Sequence, residues 1–178
     1  SSNEKLKIKF LANHYYMPIA LSESEKIDFI QHIIKYKSEI DFINDLEKHL
    51  EDNFFKQFDW WFFSKIDETL DEVYIPYYQA KTNKIEKFKP DFIFWLRKNN
   101  NYTILFIDPK GTEYADGYRK IDGYKKIFKQ QNSFTYQDNG VNVSINVKLL
   151  FRTDSINKVL QDYKNYWFDS FKSISNRV

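Results

Sequence analysis

The chain has 178 residues, 42% hydrophobic and 29% charged, with a net charge of +2, which suits one folded domain with its own core and marks it as globular rather than disordered. It has no cysteine, so disulfides and thiolate metal sites are excluded. No run of about 18 apolar residues occurs, so no membrane-spanning helix is expected; residues 5–10 alternate charged and apolar side chains instead of forming a secretory leader, and a cytoplasmic location is the expectation.

In chain order, residues 5–12 alternate as a short strand, and residues 15–21, with Pro18 inside, read as an irregular or edge strand. Ser22 and Glu25 form a capping-box pattern that opens a helix with the stripe Ile27, Ile30, Ile33 and Ile34. Ser38 begins a second helix, striped by Phe42, Ile43, Leu46 and Leu50. Residues 54–66 are ambiguous, because seven aromatics in residues 54–63 suit a buried helix or a buried strand. The second half is read as a strand over 60–66, a turn over 67–71 and a strand over 73–79, with Pro76 marking an edge or bulge. Two apolar runs, 92–96 and 102–107, flank the polar tract 97–101 as a hairpin. Residues 116–129 read as a helix carrying Tyr118, Ile121, Tyr124, Lys125 and Phe128 on one side. Residues 130–140 are turn-rich, 141–151 a strand, and 155–172 a closing amphipathic helix with Val159, Leu160, Tyr163, Tyr166, Trp167 and Phe171. No repeat or linker divides the chain, so a single domain over 1–178 is expected. The fold class is α/β, a mixed sheet flanked by helices.

The chemistry concentrates in KPDFIFWLRKNNNYTILFIDPKG, residues 89–111. An antiparallel hairpin sets the start of one strand beside the end of the other, so Asp91 and Asp108 should lie side by side. Alternation puts Asp108 and Lys110 on one face. Two carboxylates and an ammonium at the edge of an apolar sheet call for a cation or an anionic ligand. Mg²⁺, or Mn²⁺, takes one or two carboxylates and completes its shell with water and phosphate oxygens. Asp91 and Asp108 offer that pair. Pro109 lacks an N–H but keeps a carbonyl that can ligate metal. Lys110 can hold an attacking water or stabilise charge at a phosphate.

Pro90-Asp91, sixteen intervening residues, then Asp108-x-Lys110 at the ends of two strands resembles the PD-(D/E)xK nuclease superfamily. The stretch FKPDFIFWL…YTILFIDPKGTEY is similar to the nuclease domain that follows the helicase motor in type III restriction enzymes and related helicase–nuclease proteins. SEIDFINDLEKHL, FFSKIDETLDEVYIPYY and GYRKIDGYKKIF stand in the expected order around it, so the resemblance covers residues 36–128. Asp108 stands where many relatives have Glu, which the superfamily pattern allows. The resemblance implies a restriction-endonuclease-like sheet and a Mg²⁺-dependent endonuclease domain cleaving DNA. It also implies a helicase motor on a longer parent chain, of which this chain, starting at Ser1 without a methionine, would be a piece, and a methyltransferase or specificity subunit as partner.

Such nucleases take a further carboxylate from the helix before the sheet. Glu39 extends the buried stripe of Phe42 and Ile43 and is the candidate; it equally suits the first turn of a helix capped by Ser38. Asp59 and Glu68 are rivals, Glu68 lying in a turn at the far end of its strand. Lys120 and Tyr124, spaced i and i+4, resemble the polar residue and Tyr that follow the DxK strand in relatives and contact substrate; a core-edge Tyr with a solvated Lys is as good a reading. His14, His32 and His49 show no paired metal spacing and read as structural. No glycine-rich phosphate loop is present. Two basic clusters, 81–89 and 119–129, flank the motif and suit either nucleic acid or two solvated faces. The alternative to an enzyme is a catalytically silent nuclease-like module that binds DNA or docks a partner.

Overall fold

A computed structural model describes residues 6–9, 11, 13–14, 19–22, 33–34, 36–67, 69, 72–109, 114–128, 133–175 and 177–178. In chain order the elements are β1 (Leu6–Lys9), β2 (Ile19–Ser22), β3 (Ile33–Ile34), α1 (Lys37–Lys48), α2 (Asn53–Lys56), β4 (Trp60–Lys65), β5 (Ile75–Gln79), β6 (Lys84–Phe88), β7 (Phe92–Lys98), β8 (Asn101–Asp108), α3 (Tyr114–Phe128), β9 (Ser133–Asp138), β10 (Val141–Arg152), β11 (Trp167–Phe168) and α4 (Phe171–Ile174). The central sheet has the order β11-β10-β8-β7-β4, with β9 on the first half of β10. It is mixed: β4, β7 and β8 pair antiparallel, whereas β8 and β11 run parallel to β10. The fold is therefore α/β with a mixed sheet flanked by helices. β1, β2 and β3 form a separate small sheet, and β5 and β6 a separate hairpin.

Both faces of the sheet are covered, which is why β7 and β8 are apolar almost throughout instead of alternating. On one face Phe92, Phe94, Leu96, Leu105 and Ile107 meet Phe42, Ile43 and Leu46 of α1 and Phe171 of α4. Phe42 is the hub, its ring centroid 4.7 Å from Phe92 and 5.5 Å from Phe171. On the other face Phe106, Leu149 and Phe151 meet Ile121 and Tyr124 of α3 and Ile75, Tyr77 and Phe88 of the β5–β6 hairpin. Two glycines let α3 lie this close. A Cβ at Gly117 would stand 2.6 Å from the Trp167 ring, and one at Gly123 2.4 Å from the Pro76 carbonyl oxygen.

The strand–turn–strand reading of 60–79 and the helix around Tyr118–Phe128 match β4, β5 and α3. Other expectations are corrected. Ile33 and Ile34 form a strand pairing with β2, not a helical stripe, while 23–32, with His32, lie outside the described residues. Helix α1 starts one residue early, with Tyr36 at its N-cap, so Ser38 is inside the first turn and does not cap it. The hairpin tract 97–101 is mostly strand. Its turn is Asn99-Asn100, where Asn99 takes φ +54°, a left-handed conformation that asparagine tolerates. Residues 84–88 and 133–138 are strands that charge and polarity concealed. The closing helix is absent. Residues 156–158 and 161–166 are 3-10 turns, followed by β11, whose fully buried Trp167 and Phe168 enter the sheet beside β10 and face its two cores.

Candidate active site at the end of the central hairpin

The register of the β7–β8 hairpin pairs Phe92 with Ile107 and Lys98 with Asn101. Continuing that register one step past the last pair sets Asp91 opposite Asp108. The neighbouring strands hold both ends in place. The Ile66 N–H donates to the Asp91 carbonyl at 2.8 Å, and Asp108 pairs with Phe151 of β10. Pro90 and Pro109, neither with an N–H to offer, flank the pair where the ladder stops. Directly opposed residues of an antiparallel pair have Cβ atoms ~5 Å apart. Asp91 is 4% exposed and Asp108 is fully buried. Two carboxylates this close and this dry require a cation, a shared proton or strong donors around them. Pro109 is buried beside them, and Lys110 lies outside the described residues.

Alternation decides which other groups share their face. Asp108 lies on the side of Phe106 and Phe151, the α3 side, whereas Ile107 belongs to the α1 side. Glu39, buried at 4% exposure, descends from α1 and makes an ion pair with Lys65 of β4 at 3.2 Å. Lys65 is the cross-strand partner of Phe92, with its ammonium 5.7 Å from that ring. The register therefore sets Asp91 and Asp108 at the same strand end, and Glu39 reaches Lys65 from the α1 side. Among the described residues, no three His, Asp or Glu side chains gather closely enough to hold a metal ion. The rival acids do not change this. Asp59 accepts the Asn99 N–H at 2.7 Å at the far end of the hairpin, and Glu68 lies outside the described residues. His14 packs against Phe63, and His49 bonds Asp52 at 2.5 Å, so both serve local structure.

Lys120 and Tyr124 do face the carboxylate side. Lys120 is 5% exposed, with its ammonium 2.8 Å from Asp116 and 4.4 Å above the Phe88 ring. Phe88 stacks on Phe151, the strand neighbour of Asp108, so the Lys120–Asp116 pair adjoins the carboxylate edge across two rings. The Tyr124 hydroxyl donates to the Val147 carbonyl at 2.7 Å, in the core, and ties α3 to β10. Sequence reasoning missed Lys65 and Asp116. Asp116 was discoverable, since it stands four residues before Lys120 on the same helix face. Gln79, which donates to Asp116 at 3.3 Å and accepts from Arg119 at 3.3 Å, carried no signal in the sequence.

No helix among the described residues is long and apolar enough to cross a membrane. No curated protein and no solved structure matches the chain. The YagJ family model matches residues 30–171, a span that takes in α1, the central hairpin and α3. That span is well over half of the sequence, and the chain belongs to the YagJ family.

Proposed function

We propose that the chain is a metal-dependent DNA endonuclease domain of the PD-(D/E)xK type, working at the Asp91–Asp108 edge. The observation that carries this reading is the register, which sets two nearly dry carboxylates opposite one another at the one end of the hairpin where the ladder stops at Pro90 and Pro109. The two carboxylates and the Pro109 carbonyl are an all-oxygen donor set, which fits Mg²⁺ or Mn²⁺. When bound, the metal would neutralise charge on the scissile phosphate and its leaving oxygen. The chain's own residues do the rest. Lys110, two residues past Asp108, holds the attacking water or the developing charge. Lys120, held by Asp116 at 2.8 Å, stands on the same face, where it could turn to a substrate phosphate. The reading extends to a restriction or repair context, with a helicase motor on a longer parent chain and a methyltransferase or specificity partner.

A second reading, a nuclease-like module that binds DNA without cutting, is favoured by one observation: Glu39, the acid expected from α1, makes an ion pair with Lys65. Incubating supercoiled and linear DNA with the protein in EDTA, Mg²⁺ and Mn²⁺ separates the two. The enzyme reading expects metal-dependent cleavage that Asp108→Asn and Lys110→Ala abolish while the circular dichroism spectrum is unchanged. Cleavage by both variants at the parental rate would sink the assigned site. DNA binding without cleavage in either metal would leave the second reading standing.

A further inference from the structure

Arg119, Lys125 and Lys126 of the second basic cluster line a groove that is distinct from the carboxylate edge, with Ile85 of the first cluster on its other side. We propose that this groove, between α3 and the β5–β6 hairpin, is a binding site for single-stranded DNA. It encloses about 910 Å³. Its floor is the close approach of α3 to β5 at Gly123 and Pro76. Its lips carry apolar surface that the fold leaves in water: Tyr78 is 46% exposed, Ile85 67% and Ile127 47%. Tyr78 and Ile85 are cross-strand partners, so they form one continuous wall. The Tyr78 hydroxyl donates to Asn83 Oδ1 at 2.7 Å, which holds the ring in position across the hairpin turn.

Charge surrounds this apolar wall. Arg119, Lys125 and Lys126 line the helical side. Lys87, opposite Pro76, is on the same hairpin face but lies outside the lining, its ammonium 4.4 Å above the Tyr74 ring. Among the described residues the carboxylate in the lining is Asp122, which accepts from the Tyr163 hydroxyl at 3.1 Å and lies 4.0 Å from Lys125. The groove is thus net positive, with a fixed aromatic ring at its mouth. Phosphates suit the cations, and a base suits the ring and its aliphatic neighbours. A duplex hides its base faces in the stack, so the wall selects unpaired nucleotides. The groove's own residues call for an unpaired nucleic-acid strand; that the strand is DNA rests on the proposed function, and binding is read apart from cleavage.

The test is fluorescence anisotropy of a labelled oligothymidylate with the whole chain in EDTA, where metal-dependent cleavage cannot contribute. The expected result is saturable binding that Tyr78→Ala weakens about tenfold, since one base–aromatic stack is lost, and that Tyr78→Trp preserves. Arg119→Ala combined with Lys126→Ala should lower the slope of log K against log salt by about 1.4, from two phosphate contacts on a single strand. Asp108→Asn should bind like the parent. A duplex of equal length should bind more weakly and ignore Tyr78→Ala. Any of three results overturns the proposal: no binding at low salt, binding that Tyr78→Ala leaves unchanged, or equal affinity for polyglutamate, which marks a patch for any polyanion. Loss of this binding with cleavage intact would remove the groove and keep the carboxylate edge; the reverse pattern would do the opposite.

Discussion

Metal binding at the Asp91–Asp108 pair should appear as stability before any cleavage is measured. Two ionised carboxylates ~5 Å apart repel by ~3 kcal/mol at an effective dielectric of about 20. A divalent cation coordinated by both would convert that repulsion into attraction, and would bind only the folded chain, because only folding sets Asp91 opposite Asp108. A ligand of this kind adds ~2.7 kcal/mol at about a hundredfold excess over its Kd. A domain of this length moves ~2–4 °C in melting temperature per kcal/mol. Together these give an expected shift of ~5–10 °C between EDTA and saturating Mg²⁺ or Mn²⁺. The assay is thermal unfolding followed by circular dichroism, with ionic strength matched by KCl. Asp108→Asn and Asp91→Asn each remove one charged ligand and should abolish the shift. An equal shift in parent and variants would place the metal elsewhere, and no shift in the parent at saturating metal would refute the reasoning outright.

Three further outcomes are expected. Glu39→Ala should lower stability by ~3 kcal/mol in urea denaturation, because it strands the Lys65 ammonium in a largely buried place, yet it should leave the metal-induced shift intact; loss of that shift would make Glu39 a ligand and the face assignment wrong. Gly123→Ala gains ~1 kcal/mol of helix propensity but drives a methyl into the Pro76 carbonyl oxygen, which is backbone and cannot yield cheaply; a net loss of ~1–3 kcal/mol is expected from overpacking, and a more stable variant would show that α3 and β5 are not in contact there. Burial lowers the pKa of Lys148, so above the folded value the unfolded chain binds more protons and stability rises with pH towards the ordinary lysine value of 10.5. Tyr77 and Tyr166 have raised values and oppose this only as pH passes the ordinary phenol value of 10.0. Lys148→Met should therefore raise the melting temperature at neutral pH and flatten the rise on the approach to pH 10.0, as thermal melts across that range would show.

The sheet was legible wherever one kind of residue filled one kind of place. The runs 92–96 and 102–107 are apolar on both faces because both are covered, and the α1 stripe of Phe42, Ile43 and Leu46 is buried as its spacing requires. The failures share a cause. Residues 84–88 hide a strand because the β5–β6 hairpin exposes most of β6, so Lys84, Lys87 and even Ile85 remain in water. Residues 155–172 carry apolar side chains at helical spacing, but Trp167 and Phe168 are drawn into the sheet by β10, and Leu160, a member of the expected stripe, is 58% exposed. Tertiary pairing overrode a local period in both cases.

The candidate site divides along the same line. Counting along a hairpin sets Asp91 near Asp108, but the exact partner needs the turn: the structure shortens it from five residues to Asn99-Asn100, adding Arg97 and Lys98 to one strand and Asn101 to the other, and that register, continued one step past Phe92 and Ile107, sets Asp91 opposite Asp108. Glu39 is different. Helical periodicity says which side of α1 is buried but not against which face of the sheet it is buried. Phe92 and Phe94 on one face and Ile93 and Trp95 on the other are all bulky and apolar, so the hairpin sequence carries nothing that distinguishes them. The distinguishing residue was Lys65. A lysine that alternates with Trp61 and Phe63 on a covered strand face needs an acid within reach, and Glu39 supplies it at 3.2 Å. The same demand, read from Lys120 back to Asp116, accounts for the other buried pair. In this chain the buried lysines, more than the acids, reveal which face each helix covers.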